Sequence, residues 1–352
     1  MAYLVLSNGK IFEGERIGAV GDSIGEVVFT TEMVGYVEAL SDPAFKGQTV
    51  VMTFSMLGNY GVCEEDVQGE CALSGVVLRE VCDAPSNFRC DCTLDAFLKK
   101  NGVVGICGVD TRALTKILRE GGSLNGIICD EIPSDLTFLK NYSVADTIKQ
   151  SAVKKRSVFC AKTDKKYSVA VIDYGTRKSV TAALCERGCE VTLLPADSTA
   201  EEVLALSPDG VLLSGGTDYY AFDDGKVCEV KKLIGRVPML ALGVGHLILG
   251  RAAGGEIYRM PCGHRGANQP VSKADGSRTY ITSQNHGFAL CADKADGKIL
   301  FKNANDGSCE GMEYPNKYAI STQFYPDAES TPVSTAFIYD TFISMMGGNA
   351  DA

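Results

Sequence analysis

From Tyr167 onward the chain alternates short apolar runs with helical patterns, and this alternation limits the possible folds more than any other feature. Residues 169–172, 190–194 and 210–213 read as strands, with residues 179–187 and 201–206 as the helices between them. Strands alternating with helices of that length predict parallel pairing through right-handed crossovers, and hence an α/β second half with a largely parallel sheet. A further strand, residues 237–242, runs straight into Gly243-Val244-Gly245-His246 and then an apolar helix over residues 247–253. Strand, tight turn and helix in that order is where open α/β sheets present their chemistry.

The first 130 residues follow a different pattern. Short β-branched segments such as residues 26–30 and 48–53 are cut by Gly, Pro, Asn and Asp, which predicts a β-rich mixed domain. One helix stands out at residues 111–119, where Leu114, Ile117 and Leu118 share a face, Thr111 can cap the start and Gly121-Gly122 can end it. Residues 131–166 are polar and weakly helical and end in lysine-rich clusters. The expected organisation is an N-terminal domain at 1–150, a linker at 151–166 and an α/β domain at 167–352, two domains being what a length of 352 residues suits.

Composition narrows the function classes. Acidic residues outnumber basic ones 44 to 34, for a net charge of -10, and no basic stripe is present to neutralise phosphates, so nucleic acid is not an expected partner. No apolar run reaches the roughly 18 residues of a membrane span, and the opening residues turn polar too early for a signal peptide, so the expected location is the cytoplasm. The 14 cysteines are spread thinly and read as free thiols. Cys90 and Cys92 lack the spacer of a zinc knuckle, and none of the 3 histidines lies in a metal-ligand motif, so neither a metal nor a cofactor is expected.

A nucleophile elbow needs small residues two before and two after the reactive side chain, and Ala241 and Gly245 occupy those flanks. The central position is Gly243, which has no side chain to react. A dinucleotide-binding loop would require a third glycine where Ile248 stands. The remaining plain reading is that these glycines serve close packing of strand on helix.

The wider chain resembles the small, glutamine-hydrolysing subunit of carbamoyl phosphate synthetase over nearly its whole length. The N-terminal stretches that carry the resemblance are Gly25-Glu26-Val27-Val28-Phe29, Gly35-Tyr36, Ser41-Asp42-Pro43, Gly58-Asn59, Ser86-Asn87-Phe88-Arg89 and Asp110-Thr111-Arg112. The C-terminal half is similar to a class I glutamine amidotransferase through Ser214-Gly215-Gly216, Gly245-His246, Gly263-His264-Arg265-Gly266, Ser283-Gln284-Asn285-His286-Gly287 and Gln323-Phe324. The resemblance implies a doubly wound amidotransferase domain and a partnership with the large, ATP-using subunit. It also implies a cysteine thiolate that attacks the glutamine amide, a histidine that passes the proton and a glutamate that orients the histidine.

At those three positions this chain carries Gly243, Tyr325 and Asp327. A phenol titrates near about 10 and is a poor proton shuttle at neutrality. The substrate-pocket positions carried over by the resemblance are Gly216, Val244, Leu247, Asn285, His286, Gly287, Phe288 and, in the N-terminal domain, Lys46. Leu247 replaces a polar family residue, Lys46 stands for a serine, and Asp218, Tyr219 and Tyr220 crowd a loop that is small in the family. His286 is the one candidate for residual acid–base work, His246 reads as structural, and His264 as interfacial or solvated. Cys107 and Cys262 are the alternative thiols considered.

The expectation is therefore a subunit without glutaminase activity that acts as a structural or regulatory partner of the large subunit in a hetero-oligomer. An active glutaminase using non-standard residues, and a paralogue binding glutamine or another small ligand through the altered pocket, are the alternatives.

Overall fold

Val27 and Val28, Val50 and Val51, and Val76 and Val77 are adjacent pairs in which both residues are buried. Successive strand residues point to opposite faces, so each pair feeds two cores. Val27, Val51 and Val77 pack with Leu4, Leu6, Ile106 and Ile128 in one cluster, whereas Val28, Val50 and Val76 pack with Leu57, Leu78, Leu94 and Phe97 in another. The computed structural model describes residues 1–145, 156–326 and 335–348, and the chain divides into two compact units, Met1–Gln150 and Ser151–Ala352. In the first unit seven strands close into a barrel, in the order Ala2–Leu6, Ile11–Gly18, Val104–Cys107, Gly75–Val77, Gln48–Met52, Ser23–Thr30 and Leu124–Cys129. Closure leaves no open sheet edge.

The predicted helix near residue 111 runs Thr111–Gly121 and buries Leu114 and Leu118. Its cap differs from expectation. Asp110, not Thr111, accepts the N–H of Ala113, because a carboxylate one residue earlier reaches the third helical N–H while Thr111 is already inside the first turn.

The second unit is built on a ten-stranded sheet. Five strands run parallel in the order Cys189–Pro195, Tyr167–Asp173, Gly210–Leu213, Met239–Leu242 and Ala319–Thr322. Relative to chain order the sheet reverses between Tyr167–Asp173 and Gly210–Leu213, the topological switch point at which such sheets open a crevice. Their apolar runs pack on both faces, with Val169, Val171, Leu212, Leu240 and Leu242 in one core with Phe324, Tyr339 and Phe342.

The parallel half was legible in advance, but the rest of the sheet was not. Cys309–Tyr314, Thr279–Cys291, Glu256–Lys273 and Lys298–Asn303 extend it as an antiparallel wing. Glu256–Lys273 shifts register twice against its partner, so its apolar residues follow no steady period. The expected linker is also not featureless. Ser157–Phe159 pairs antiparallel with Cys189–Pro195 as the opposite edge strand.

Candidate functional site

Met239–Leu242 ends in a turn at Gly243, which caps the helix Val244–Ala252 with φ 52° and ψ -119°. That helix starts three residues earlier than the apolar pattern suggested, because Val244, Gly245 and His246 already take helical geometry directly after the turn. Three backbone bonds hold the turn without using a side chain at its centre. Gly243 N–H donates to Thr322 O at 2.9 Å, Gly245 N–H to Ser214 O at 3.2 Å and His246 N–H to Gly243 O at 3.0 Å. The turn geometry is therefore complete with glycine at its centre.

A Cβ placed on Gly243 would lie 3.2 Å from Gly215 Cα and 3.4 Å from the Tyr325 hydroxyl oxygen. The space a nucleophile would use thus opens directly onto Tyr325. The Tyr325 side chain is buried at 2% exposure, and its backbone is anchored by an N–H bond to Ser283 O at 3.1 Å. Gly215 is required beneath it, since a side chain there would run into the tyrosine ring. The Arg177 guanidinium lies 3.6 Å from the centre of the same ring. A cation this close to an aromatic face is held by the ring quadrupole.

Arg177 comes from the loop after Tyr167–Asp173, whose shape Asp173 sets by accepting the N–H groups of Gly175 at 3.0 Å and Thr176 at 2.7 Å. Arg177 lies in no motif of the sequence. Its position just beyond the carboxyl end of a strand at the switch point is the signal that could have found it.

The other pocket positions divide by location. Gly216 follows Gly210–Leu213 at φ 144°, where a Cβ would run into the Tyr174 carbonyl. Val244 and Leu247 are fully buried on the elbow helix. Asn285, His286, Gly287 and Phe288 lie in succession on Thr279–Cys291. Lys46 belongs to the N-terminal unit, where it ends the short turn Pro43–Phe45 and forms a bridge with Leu73. Asp327 lies outside the described residues.

Asp218 accepts the Gly287 N–H at 2.6 Å, so a backbone donor of the pocket is engaged by the protein's own carboxylate. Phe288 meets Phe222 and Tyr219 edge to face, with centroids 4.9 and 5.7 Å away. Asp218 and Tyr219 are both tied to the Gly287–Phe288 segment by specific contacts, whereas Tyr220 packs against Tyr174.

The three histidines differ sharply. His246 is fully buried, with Nδ1 2.8 Å from Ser321 Oγ, and burial pushes its pKa down to about 3, which keeps it neutral. His264 is not solvated. It is 8% exposed and sits between Glu310 at 3.0 Å and Asp306 at 3.1 Å. Burial alone would lower its pKa, but the two carboxylates outweigh that and raise it. His286, also buried, is held well below the ordinary imidazole range by desolvation first and by the charge of His264 second.

His264, His286 and Glu310 offer ligand atoms all within 4.8 Å of one another. Sequence spacing could not reveal this group, because three different strands supply it. Of the alternative thiols, Cys107 has its pKa raised by burial, which favours the unreactive protonated form.

A family profile for the carbamoyl-phosphate synthase small chain, CPSase domain, matches residues 4–128, and one for class-I glutamine amidotransferase matches residues 170–345. The carbamoyl phosphate synthase small chain of Clostridium perfringens is 40% identical over 352 residues, covering 97% of this chain and 98% of that protein. The chain belongs to the carbamoyl phosphate synthase small chain family. The small chain of Methanopyrus kandleri is equally similar, at 40% over 362 residues and 98% of both chains. Among solved structures, a glutamine amidotransferase from Thermotoga maritima aligns with a TM-score of 0.38 at 16% identity, over 52% of this chain and 86% of that one. The two family profiles together place a match to the small chain in the first unit and a match to class-I glutamine amidotransferase in the second. No helix among the described residues is long and apolar enough to cross a membrane.

Proposed function

We propose that this chain is a small subunit without glutaminase chemistry, which docks on the large, ATP-using synthetase subunit so that the complex draws on free ammonia. The observation that carries this reading is the elbow, where Gly243 faces the hydroxyl of a buried Tyr325. Hydrolysis of glutamine through this turn requires a thiolate to attack the amide carbon, a base to take the thiol proton and an acid to give a proton to the departing ammonia. Gly243 supplies no thiol, and a phenol is not a base near neutrality. Val244 N–H still follows the elbow as the kind of donor that stabilises an oxyanion, but stabilisation without a nucleophile leaves no covalent path. The partner role is supported by a family match that extends across both units.

The deciding experiment combines the chain with its candidate large subunit and compares nitrogen donors. Carbamoyl phosphate formation from ammonia, with none from glutamine beyond the large subunit alone, is expected. Glutamine-dependent turnover abolished by a single cysteine or histidine substitution would overturn the reading in favour of an active glutaminase with relocated residues. A second reading, a regulator that binds another small ligand in the altered pocket, draws on the Arg177 cation stacked over Tyr325 beside the vacated elbow. A ligand screen by thermal shift tests it, with loss of the response in Arg177→Ala as the expected outcome.

A further inference from the structure

Glu256–Lys273, Thr279–Cys291 and Cys309–Tyr314 bring His264, His286 and Glu310 together inside the antiparallel wing, with His264 and His286 as direct cross-strand partners. The hydrogen bonds around them limit which atoms can donate. Thr282 gives its single hydroxyl proton to Gln269 O at 3.0 Å, so toward Gln284 it can only accept. Gln284 must therefore present Nε2 to Thr282, at 3.1 Å, which turns its carbonyl Oε1 toward His286. His286 Nδ1 lies 2.9 Å from the Phe288 carbonyl and Nε2 lies 3.1 Å from Gln284 Oε1, so both ring nitrogens face an oxygen while a neutral ring has one proton to give. With that proton on Nδ1, Nε2 presents a lone pair 3.9 Å from Glu310 Oε2.

Glu310 completes the pattern. Its Oε1 accepts from His264 Nδ1 at 3.0 Å and Asn303 Nδ2 at 3.2 Å, whereas Oε2 is buried with no hydrogen-bond partner. In that tautomer, with Glu310 ionised, a lone pair, an amide oxygen and a carboxylate oxygen converge with no donor among them, whereas nearly all buried polar atoms are satisfied.

We propose that this point is a buried divalent-cation site of the zinc class, held by His286 Nε2 and Glu310 Oε2 with the Gln284 carbonyl beside them. A nitrogen ligand together with a carboxylate suits zinc better than magnesium or calcium, which take oxygen alone. Two ligands about 2.1 Å from a tetrahedral zinc lie about 3.4 Å apart, so the 3.9 Å between His286 and Glu310 closes with a shift of about half an ångström. The outer contacts are those metal ligands require. Phe288 O can accept from His286 Nδ1, the tautomer that a metal at Nε2 needs, and His264 with Asn303 orients the Glu310 carboxylate. The cation would pin the segment that carries Asn285, Gly287 and Phe288, whether or not the elbow is active.

The test uses the full chain stripped by a chelator, titrated with zinc against a chromophoric competitor and, separately, with cobalt. One equivalent of zinc, a raised unfolding midpoint and a cobalt spectrum of nitrogen and oxygen ligands without sulfur charge transfer are expected. Glu310→Gln should weaken zinc by at least about tenfold. Failure of the wild-type chain to bind a stoichiometric ion, a cobalt spectrum dominated by sulfur, or undiminished binding by Glu310→Gln each overturns the proposal and leaves protons as the occupants. The wild-type cobalt spectrum decides the matter even if the variant does not fold.

Discussion

The elbow around Gly243 and the polar cluster around Glu310 belong to the same sheet but are held in place by different means. At the elbow, backbone bonds to Thr322 and Ser214 fix the turn, so the central side chain can be absent with the geometry unchanged. In the wing, side chains are themselves the structure. His264 bridges Asp306 and the buried Glu310, and Asn303 donates to the same Glu310 oxygen, so removing Glu310 takes a partner from both. Turn geometry supported by backbone is thus independent of the central side chain, whereas a buried side-chain network cannot be trimmed without loss of stability.

Several substitutions would break or sharpen this contrast. The largest effect expected is on turnover. Glutamate release by the wild-type chain with its large subunit should fall about 10⁶-fold below that of a cysteine-bearing small chain, and a rate within a hundredfold would show that the elbow is not vacant in function. In the wing, Glu310→Ala takes from His264 its buried carboxylate partner and should cost about 3–5 kcal/mol in denaturant unfolding. A loss under about 1 kcal/mol would place the wing on the same footing as the elbow.

His246 gives a pH-dependent test of how dry the elbow helix is. The unfolded chain takes up a proton near 6.5, whereas the folded histidine does so only near 3, so stability falls as pH drops through that window. At pH 5 this group alone should lower stability by about 2 kcal/mol relative to neutral pH. Unfolding of wild type and His246→Asn at both pH values should differ in slope by that amount. Gly243→Cys should cost a similar or smaller amount, about 1–3 kcal/mol, since a side chain at φ 52° and ψ -119° is strained. An equally stable variant would mean that the turn relaxes. The smallest effect expected is from Arg177→Ala, about 1 kcal/mol for a stacked cation, read by the same unfolding experiment.

The parallel half of the sheet could be read from the sequence because a strand buried on both faces writes itself as a continuous apolar run, as at Val169–Val171 and Leu212–Leu213. The antiparallel wing could not, because two register shifts in Glu256–Lys273 break any period. The same break hid the cluster of His264, His286 and Glu310. Arg177 was missed for a different reason, since only the crossover of the sheet brings the loop after Asp173 to the elbow and sets the guanidinium over Tyr325.

Residue identity settled what Gly243 and Tyr325 cannot do, since covalent attack and proton transfer near neutrality need particular atoms, and their absence is visible in one dimension. Only the folded chain decided that Tyr325 stands over the empty turn and that His286 and Glu310 meet. Those are distances between residues far apart in sequence, and they follow from strand order and register, which local patterns do not encode.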